Sequence, residues 1–190
     1  MKTILCVLAA VVLLGGCGIL PTPPPLPALH DFGPAATTPA MDGAPVEATV
    51  SAPSWLDGTA IYYRLLYSGP TRLREYADHR WLAPPAELLQ THLQAAFAGG
   101  RAGAYRLRVT LLDFEQEFAG AQSAQVSARA VAELQNLASG ATVARHLFTV
   151  SVSASPDVQG AVQGASRAAD ELLAQLVQWT QTQLAGAKRK

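Results

Sequence analysis

Hydrophobic and polar residues alternate over several segments of this chain from Val46 onward, which is the period of a half-buried β-strand. Ala48 and Val50 continue the first alternation, and a second one follows the turn pair Asp57-Gly58. The pattern predicts strands over residues 46–50, 61–67, 105–111, 126–134 and 148–152. Turn-forming residues 136–140 separate the last two strands, which are therefore predicted to form an antiparallel hairpin.

Two other segments have the period of an amphipathic helix. Pro84-Pro85 is typical of a first helical turn, and Gly99-Gly100 is typical of a helix end. Between them the predicted apolar face consists of Leu89, Leu93, Ala96 and Phe97.

The second helix is predicted to begin at Ser155-Pro156-Asp157, with a cap, a first-turn proline and an acidic residue, and to run to about Leu184. Its apolar residues step by four and three along one stripe: Val158, Val162, Ala165, Ala169, Leu172, Leu176 and Trp179. We expect this stripe to pack on the chain's own sheet, and a partner-binding stripe is the alternative. Trp55, Trp81 and Trp179 are expected to hold the fold.

Two segments leave alternatives open. Residues 72–81 mix aromatic and charged side chains and predict either a short strand or a loop. After Asp113 the apolar phase switches to Phe114 and Phe118, which indicates a bulge or a strand that leaves the sheet edge.

The order of the predicted elements indicates the fold class. Strands, a helix, strands and a second helix predict an α+β fold: a mostly antiparallel sheet with helices on one face, including a long C-terminal helix.

The N-terminus has the pattern of a secretory signal peptide. Lys2 precedes the apolar residues 3–14, and the small residues Gly15 and Gly16 follow. The apolar run is too short to span a bilayer, which takes about 20 helical residues, so a membrane-anchor helix is the weaker interpretation. The sequence Leu14-Gly15-Gly16-Cys17 resembles the lipobox of bacterial lipoproteins. It predicts a signal peptide over residues 1–16 and lipidation of Cys17.

Prolines concentrate in the segment after Cys17. Eight of the thirteen prolines lie between Gly18 and Pro45, and proline lacks the amide donor that helices and central strands require. We therefore predict an extended tether over residues 17–45 and a folded domain over residues 46–190. Residues 18–29 would space this domain from the membrane by a few tens of Å, at about 3.1 Å per residue.

Composition and motifs point away from several functions. The 14 basic and 14 acidic residues cancel, so nucleic acid is not an expected partner. Cys6 is removed with the signal peptide and the lipid consumes Cys17, which leaves no thiolate nucleophile. No metal-ligand spacing, Gly-x-Ser-x-Gly elbow or phosphate-binding glycine loop is present, and the sequence contains four histidines: His30, His79, His92 and His146.

The densest polar cluster is Asp78-His79-Arg80-Trp81. As chemistry it offers a base and an acid, but neighbours in an extended chain point in opposite directions. Trp81 as a core anchor and Arg80 as a hydrogen-bonding clamp fit better. We expect no catalytic residue, no cofactor and no metal, and hence no enzyme.

An ordered series of motifs resembles the ABC-type transport auxiliary lipoprotein family, to which the lipoprotein of the paraquat-inducible intermembrane transport operon belongs. The resemblance covers about Val46 to the C-terminus. His30-Asp31-Phe32-Gly33 lies where that family has a short aromatic strand, without the family's usual leading tyrosine. The motifs are Ser54-Trp55-Leu56-Asp57-Gly58, Ile61-Tyr62-Tyr63-Arg64, Tyr76-x-x-His79-Arg80-Trp81, Pro84-Pro85-Ala86-Glu87-Leu88-Leu89 and Leu112-Asp113-Phe114-Glu115-Gln116.

The resemblance implies a non-catalytic envelope lipoprotein that works with an ABC transporter or an MCE-domain (mammalian-cell-entry) protein in moving lipids between two membranes. A homo-oligomer is compatible with this role. Gly18, rather than an aspartate, follows Cys17, which predicts the outer membrane and a position facing the periplasm. A lipid- or ligand-binding lipoprotein that works alone is the first alternative, and a periplasmic hydrolase is the second.

Overall fold

The computed structural model describes residues 25–34, 44–45, 47–98 and 103–187, which form a β-sheet and two α-helices. A short 3-10 turn, Ser54–Leu56, precedes the third strand. In chain order the elements are β1 (Ala28–His30), β2 (Glu47–Ser51), β3 (Ala60–Leu65), β4 (Leu73–Trp81), α1 (Pro85–Phe97), β5 (Tyr105–Gly120), β6 (Ser123–Asn136), β7 (Thr142–Ala154) and α2 (Val158–Ala187).

Three long antiparallel strands, β5, β6 and β7, form the main part of the sheet. Every second residue of β6 from Val126 to Leu134 is buried, as the alternation predicts. The predicted hairpin of β6 and β7 is confirmed. A register shift between Leu111 and Asp113 shows that the predicted phase switch in β5 is a bulge, after which the strand stays in the sheet.

The other side of β5 pairs with two different strands. Its first half runs parallel to β2, from the pair Glu47–Arg106 onward, and its second half runs parallel to β3, with Leu65 opposite Phe118. β4 is antiparallel to β3, so the segment over residues 72–81 is a strand and not a loop. The sheet order is β1-β4-β3-β5-β6-β7, with β2 also beside β5. Most paired residues are antiparallel, which confirms the predicted α+β class.

Small residues on the buried face of helix α2 allow the helix to pack closely against the sheet. Gly164 has no room for a side chain, because a Cβ there would lie 2.6 Å from the Val126 Cγ2 atom. The predicted stripe is buried against the chain's own sheet along its middle and half-buried at its ends. The predicted cap is corrected: α2 begins at Val158, and the Asp157 carboxylate, not Ser155, accepts a hydrogen bond from the Gly160 amide (2.6 Å).

Helix α1 joins the core through Leu89, Leu93 and Phe97, as its period predicts. The Gln90 side-chain oxygen accepts a hydrogen bond from the Val50 amide (2.9 Å), which ties α1 to β2.

The core surrounds Trp81, whose exposed fraction is 2%. Trp179 is half-buried, but Trp55 is 41% exposed, so the expectation that Trp55 helps hold the core is wrong. It lies in the 3-10 turn at the edge of the fold.

The folded domain includes residues that the prolines predict to be part of the tether, so the predicted boundary at residue 46 is corrected. β1 pairs in parallel with β4, with Ala28 opposite His79 and His30 opposite Trp81. Phe32 is buried against Trp81 and Phe114, at ring-centroid distances of 5.3 Å and 5.4 Å. Within the described residues, no helix is long and apolar enough to cross a membrane.

Candidate functional site

The predicted lipidation site, Cys17, lies outside the described residues, as does the signal peptide before it. The first described residues, Pro25 to Pro27, lead directly into β1. The features that follow therefore concern the folded part of the chain, beginning where the predicted tether enters it.

The parallel pairing of β1 with β4 brings two histidines together. The His30 Nε2 atom lies 2.9 Å from the His79 Nδ1 atom, and the two rings stack with centroids 5.2 Å apart. Burial lowers the pKa of His30 below its ordinary value, and the nearby His79 lowers it further, while Asp31 acts in the opposite direction. The lowered pKa favours the neutral form of His30, which is compatible with a hydrogen bond between the two facing nitrogens.

An open groove of about 540 Å³ runs beside this pair, between β1 and the first half of α2. Leu29, Leu82 and Val162 form its apolar wall, and Arg167 forms part of its polar side. The Arg167 guanidinium donates hydrogen bonds to the Ser153 and Gln163 carbonyls and has no carboxylate within ion-pair distance in the described part of the chain. We call this space the β1 groove.

A buried polar network crosses the sheet near the start of α2. Arg64 donates two hydrogen bonds to the buried Glu115 carboxylate, at 2.6 Å and 3.0 Å. Next to it, Tyr76 donates to the Gln116 side chain (2.6 Å), which in turn donates to the Ser155 carbonyl (2.7 Å). The network satisfies buried polar groups and positions the turn before α2, which is a structural task.

Two pKa shifts reflect this network. Burial raises the pKa of Tyr76 to about 12, so its hydroxyl stays protonated and acts as a donor at neutral pH. The hydrogen bond that Arg64 donates to Glu115 raises the pKa of the guanidinium above its ordinary value. Neither group is poised to exchange a proton near neutral pH, as an acid or base catalyst would be.

The residues Asp78-His79-Arg80-Trp81 form the end of β4, and their contacts are those of a structural cluster rather than of a catalytic one. Arg80 donates to the carbonyls of Tyr76 and His79, which makes it the predicted clamp. Trp81 is the predicted core anchor. Asp78 is exposed, and His79 faces His30 rather than Asp78.

The other two histidines lie apart from this cluster. His92 meets Phe32 edge-on with centroids 6.0 Å apart, at the border of the core. His146 is exposed on β7 and stacks on Trp179 (6.3 Å). In the part of the chain that the structure describes, no three metal-ligating side chains cluster, and no serine or aspartate is hydrogen-bonded to a histidine ring.

Sequence reasoning missed the His30–His79 pair and the β1 groove. The two histidines are 49 residues apart in the chain, and only the pairing of a three-residue strand brings them together. The exposed Leu29 and Leu82 are single apolar residues without a period of their own. In the sequence, only the family resemblance of residues 30–33 indicates a strand in this region.

The fold has relatives among solved structures. A crystal structure of a Xanthomonas campestris protein of the DUF330 family matches with a TM-score of 0.70 at 21% identity, over 88% of this chain and 98% of that chain. A crystal structure of an uncharacterised protein matches with a TM-score of 0.61 at 15% identity, over 82% of this chain and 99% of that one. At these identities the likeness shows a shared fold.

A structure from Caulobacter crescentus, described as a candidate lipoprotein, matches with a TM-score of 0.44 over 54% of this chain and 85% of that chain, at 22% identity. That score is too low to relate the two folds. No family model matches the sequence, and no curated protein matches it.

Proposed function

We propose that this chain is a lipid-anchored periplasmic lipoprotein that serves as an auxiliary, non-catalytic component of an ABC- or MCE-type system for lipid transport between membranes. Its anchor is the acylated Cys17, and its tether leads into β1. The domain built on the seven-stranded sheet is the part that docks on the transport machinery.

The observation that carries this proposal is the N-terminal sequence Leu14-Gly15-Gly16-Cys17 after a short apolar run. A signal peptide that ends in such a box supplies export and a lipid anchor together. The transport role is proposed because the ordered motifs of the domain resemble those of the ABC-type transport auxiliary lipoprotein family. Because the DUF330 structure covers almost the same length with the same fold, the likeness is compatible with this assignment but adds no function to it.

The geometry of the described residues supports a non-catalytic role. Glu115 and Gln116, two buried polar side chains of β5, already form hydrogen bonds with Arg64, Tyr76 and Ser155. A nucleophile with a base oriented by a third group is the arrangement that a hydrolase needs. Within the residues that the structure describes, no nucleophile and no orienting carboxylate is hydrogen-bonded to the rings of the histidine pair.

One observation favours a second candidate function, binding of a lipid or another ligand by the domain alone. The β1 groove, at about 540 Å³, is within the size range of ligand pockets. In contrast, the cavity between sheet and α2, beside Trp81 and Phe114, measures about 10 Å³, which is room for at most about one water molecule. A stored lipid would therefore lie in an open groove rather than inside the fold, which suits a docking part better than a carrier.

The proposed location is the outer membrane, facing the periplasm. In lipoprotein sorting of the enteric type, an aspartate after the lipidated cysteine retains the protein in the inner membrane, and Gly18 occupies that place here. Density fractionation of membranes tests the location. Recovery of the protein with inner-membrane markers would contradict it.

The transport role is tested by crosslinking in intact cells that express the full-length, tagged chain at its native level. We expect an MCE-domain protein or an ABC permease among the crosslinked partners, with the same partner lost when Cys17→Ser removes the anchor. A lipidated and abundant protein that crosslinks to neither class would contradict the transport role. Native mass spectrometry of the purified protein with one lipid bound per chain would favour the second candidate instead.

A further inference from the structure

The three most exposed large apolar side chains of the described residues belong to the corner where the tether enters the fold. Leu26 is 93% exposed, Leu29 is 60% exposed and Leu82 is 59% exposed. Leu26 comes two residues before β1, and Leu29 and Leu82 both line the β1 groove. Single exposed leucines are ordinary, but a group of them at one corner marks an interaction surface.

This corner is held rigidly. The Ser166 hydroxyl of α2 donates to the Phe32 carbonyl (2.6 Å), and the Leu82 amide donates to the His30 carbonyl (2.6 Å). Phe32 itself is buried. Leu29 and Leu82 are therefore presented by ordered backbone, and Leu26 lies two residues before it, so this part of the surface exists before anything binds to it.

The polar side of the groove has charges of both signs. Arg167, without an acidic partner in the described residues, is available to a phosphate oxygen, and Asp31 is a carboxylate on the same groove. The two charges cancel, as do those of the whole chain. Such a surface is matched by a zwitterionic phospholipid headgroup above apolar chains, rather than by a strongly anionic partner.

The bilayer is within reach of this corner. Leu26 is the ninth residue after Cys17, and a fully extended chain spans at most about 3.3–3.6 Å per residue, so Leu26 stays within about 30 Å of the anchor. A tether of this length keeps the local concentration of the second contact near the millimolar range. Contacts too weak to hold a free protein are then sufficient.

We propose that the corner formed by Leu26, Leu29, Leu82 and Arg167 rests on the surface of the membrane that carries the anchor, with the leucines among the lipid headgroups and upper acyl chains. This inference depends on the lipid anchor of the proposed function. It fixes one end of the domain at the bilayer and leaves β7, at the opposite edge of the sheet, facing the periplasm.

The test uses the full-length, processed lipoprotein in phosphatidylcholine–phosphatidylethanolamine vesicles that contain nitroxide-labelled acyl chains. Because acylation occupies Cys17, a cysteine introduced by Leu82→Cys is the one free thiol for an environment-sensitive fluorophore. Leu147→Cys is the matched control, since Leu147 is a similarly exposed leucine on β7. We expect a blue-shifted emission at position 82 and quenching by the nitroxide lipids several times stronger than at position 147.

The outcomes separate the docking from the anchor. A protein that floats with the vesicles but shows equal quenching at both positions contradicts the docking alone. A protein that does not float with them contradicts the anchor and the docking together. A blue shift at position 82 that grows with protein density and is insensitive to the nitroxide lipids would assign the surface to a second copy of the chain, and would overturn the membrane contact.

Discussion

The His30 Nε2 atom lies 2.9 Å from the His79 Nδ1 atom, and this contact fastens the short strand β1 to β4. A hydrogen bond between two imidazoles requires that one nitrogen carries a proton and the other does not. If both rings are protonated, two positive charges face each other at hydrogen-bond distance. Protonation of His30 would therefore weaken this one contact of the first strand, which backbone pairing with β4 and the burial of Phe32 also hold in place.

We predict that the protein loses stability as the solution is acidified through the titration range of histidine. The pKa of His30 is lower in the folded chain than its ordinary value of 6.5, so the unfolded chain binds more protons below that pH. The stabilising contribution is complete above pH 6.5 and is lost as the pH falls through the lowered pKa. Urea unfolding between about pH 7.5 and about pH 5 measures the loss.

The control for this prediction is a pair of variants. His30→Gln removes the titrating group at the contact and should reduce the change in unfolding free energy between the two pH values. His146→Gln, at an exposed position on β7, should leave that change as in the parent. An unchanged pH dependence in His30→Gln would show that the histidine pair is not its source.

The ion pair between Arg64 and Glu115 should be far more important for stability than an exposed pair of the same sheet. Arg64→Ala leaves a buried carboxylate without its partner and should cost about 3–5 kcal/mol. Arg145→Ala, which removes the exposed pair with Glu133, should cost at most about 1 kcal/mol. Chemical denaturation of both variants tests the difference, and equal losses would contradict it.

The atoms that surround the glycines of α2 predict which of them tolerate a methyl group. A Cβ on Gly160 would lie 2.0 Å from the Ser155 carbonyl oxygen, and Gly164 is limited by Val126. Alanine at either position should lower the free energy of unfolding by about 1–3 kcal/mol, since the helix must move to make room.

Gly186 provides the matched control for these substitutions. It lies in the same helix, and a Cβ there would meet nothing within 4 Å. Gly186→Ala should be neutral or stabilising by up to about 1 kcal/mol, because alanine loses less chain entropy in a helix. Thermal unfolding of the three alanine variants gives the comparison, and a Gly164→Ala variant as stable as Gly186→Ala would contradict the packing.

The contrast between α2 and β1 shows what the sequence could predict. The stripe of α2 repeats from Val158 to Trp179, so the period alone locates most of the helix and its buried face. The predicted alternation is shorter in β6, over residues 126–134, and in β7, over residues 148–152, but a turn joins these two strands. Long elements with local partners carry enough repeats to be recognised from the residues alone.

The pairing of distant segments could not be derived in the same way. β2 and β3 both run parallel to β5, one along each half, and more than fifty residues separate the paired positions in each case. Alternation shows which face of a strand is buried but not which strand lies beside it. β1 has three residues and thus no period, so the histidine pair and the groove next to it became visible only in three dimensions.

Alanine substitution of a buried and of an exposed tryptophan should have different effects on stability. Trp81→Ala should destabilise the protein by about 3–5 kcal/mol, a large part of the roughly 5–15 kcal/mol that stabilises a typical domain, and should reduce the folded protein in the envelope. Trp55→Ala, at a position 41% exposed, should have a much smaller effect on abundance. Equal losses of abundance would show that Trp55 is a core residue after all.

The non-catalytic role is tested by alanine at each histidine in turn: His30, His79, His92 and His146. Because none is assigned a proton transfer, we expect resistance to envelope stress to follow the abundance of each variant. An enzyme predicts the reverse pattern, normal abundance with lost function. One fully abundant and inactive histidine variant would therefore overturn the role, and the Asp78–His79 cluster would be the first place to look.

Lipidation of Cys17 is the claim on which the anchor, the tether and the proposed function all depend, and metabolic labelling with a radioactive fatty acid measures it directly. We predict that the parent chain and Cys6→Ser incorporate label, since cleavage before Cys17 would remove Cys6. Cys17→Ser should incorporate none and should accumulate as a precursor, because serine cannot form the thioether. Label that persists on Cys17→Ser, or a parent chain without label, would contradict the lipoprotein assignment.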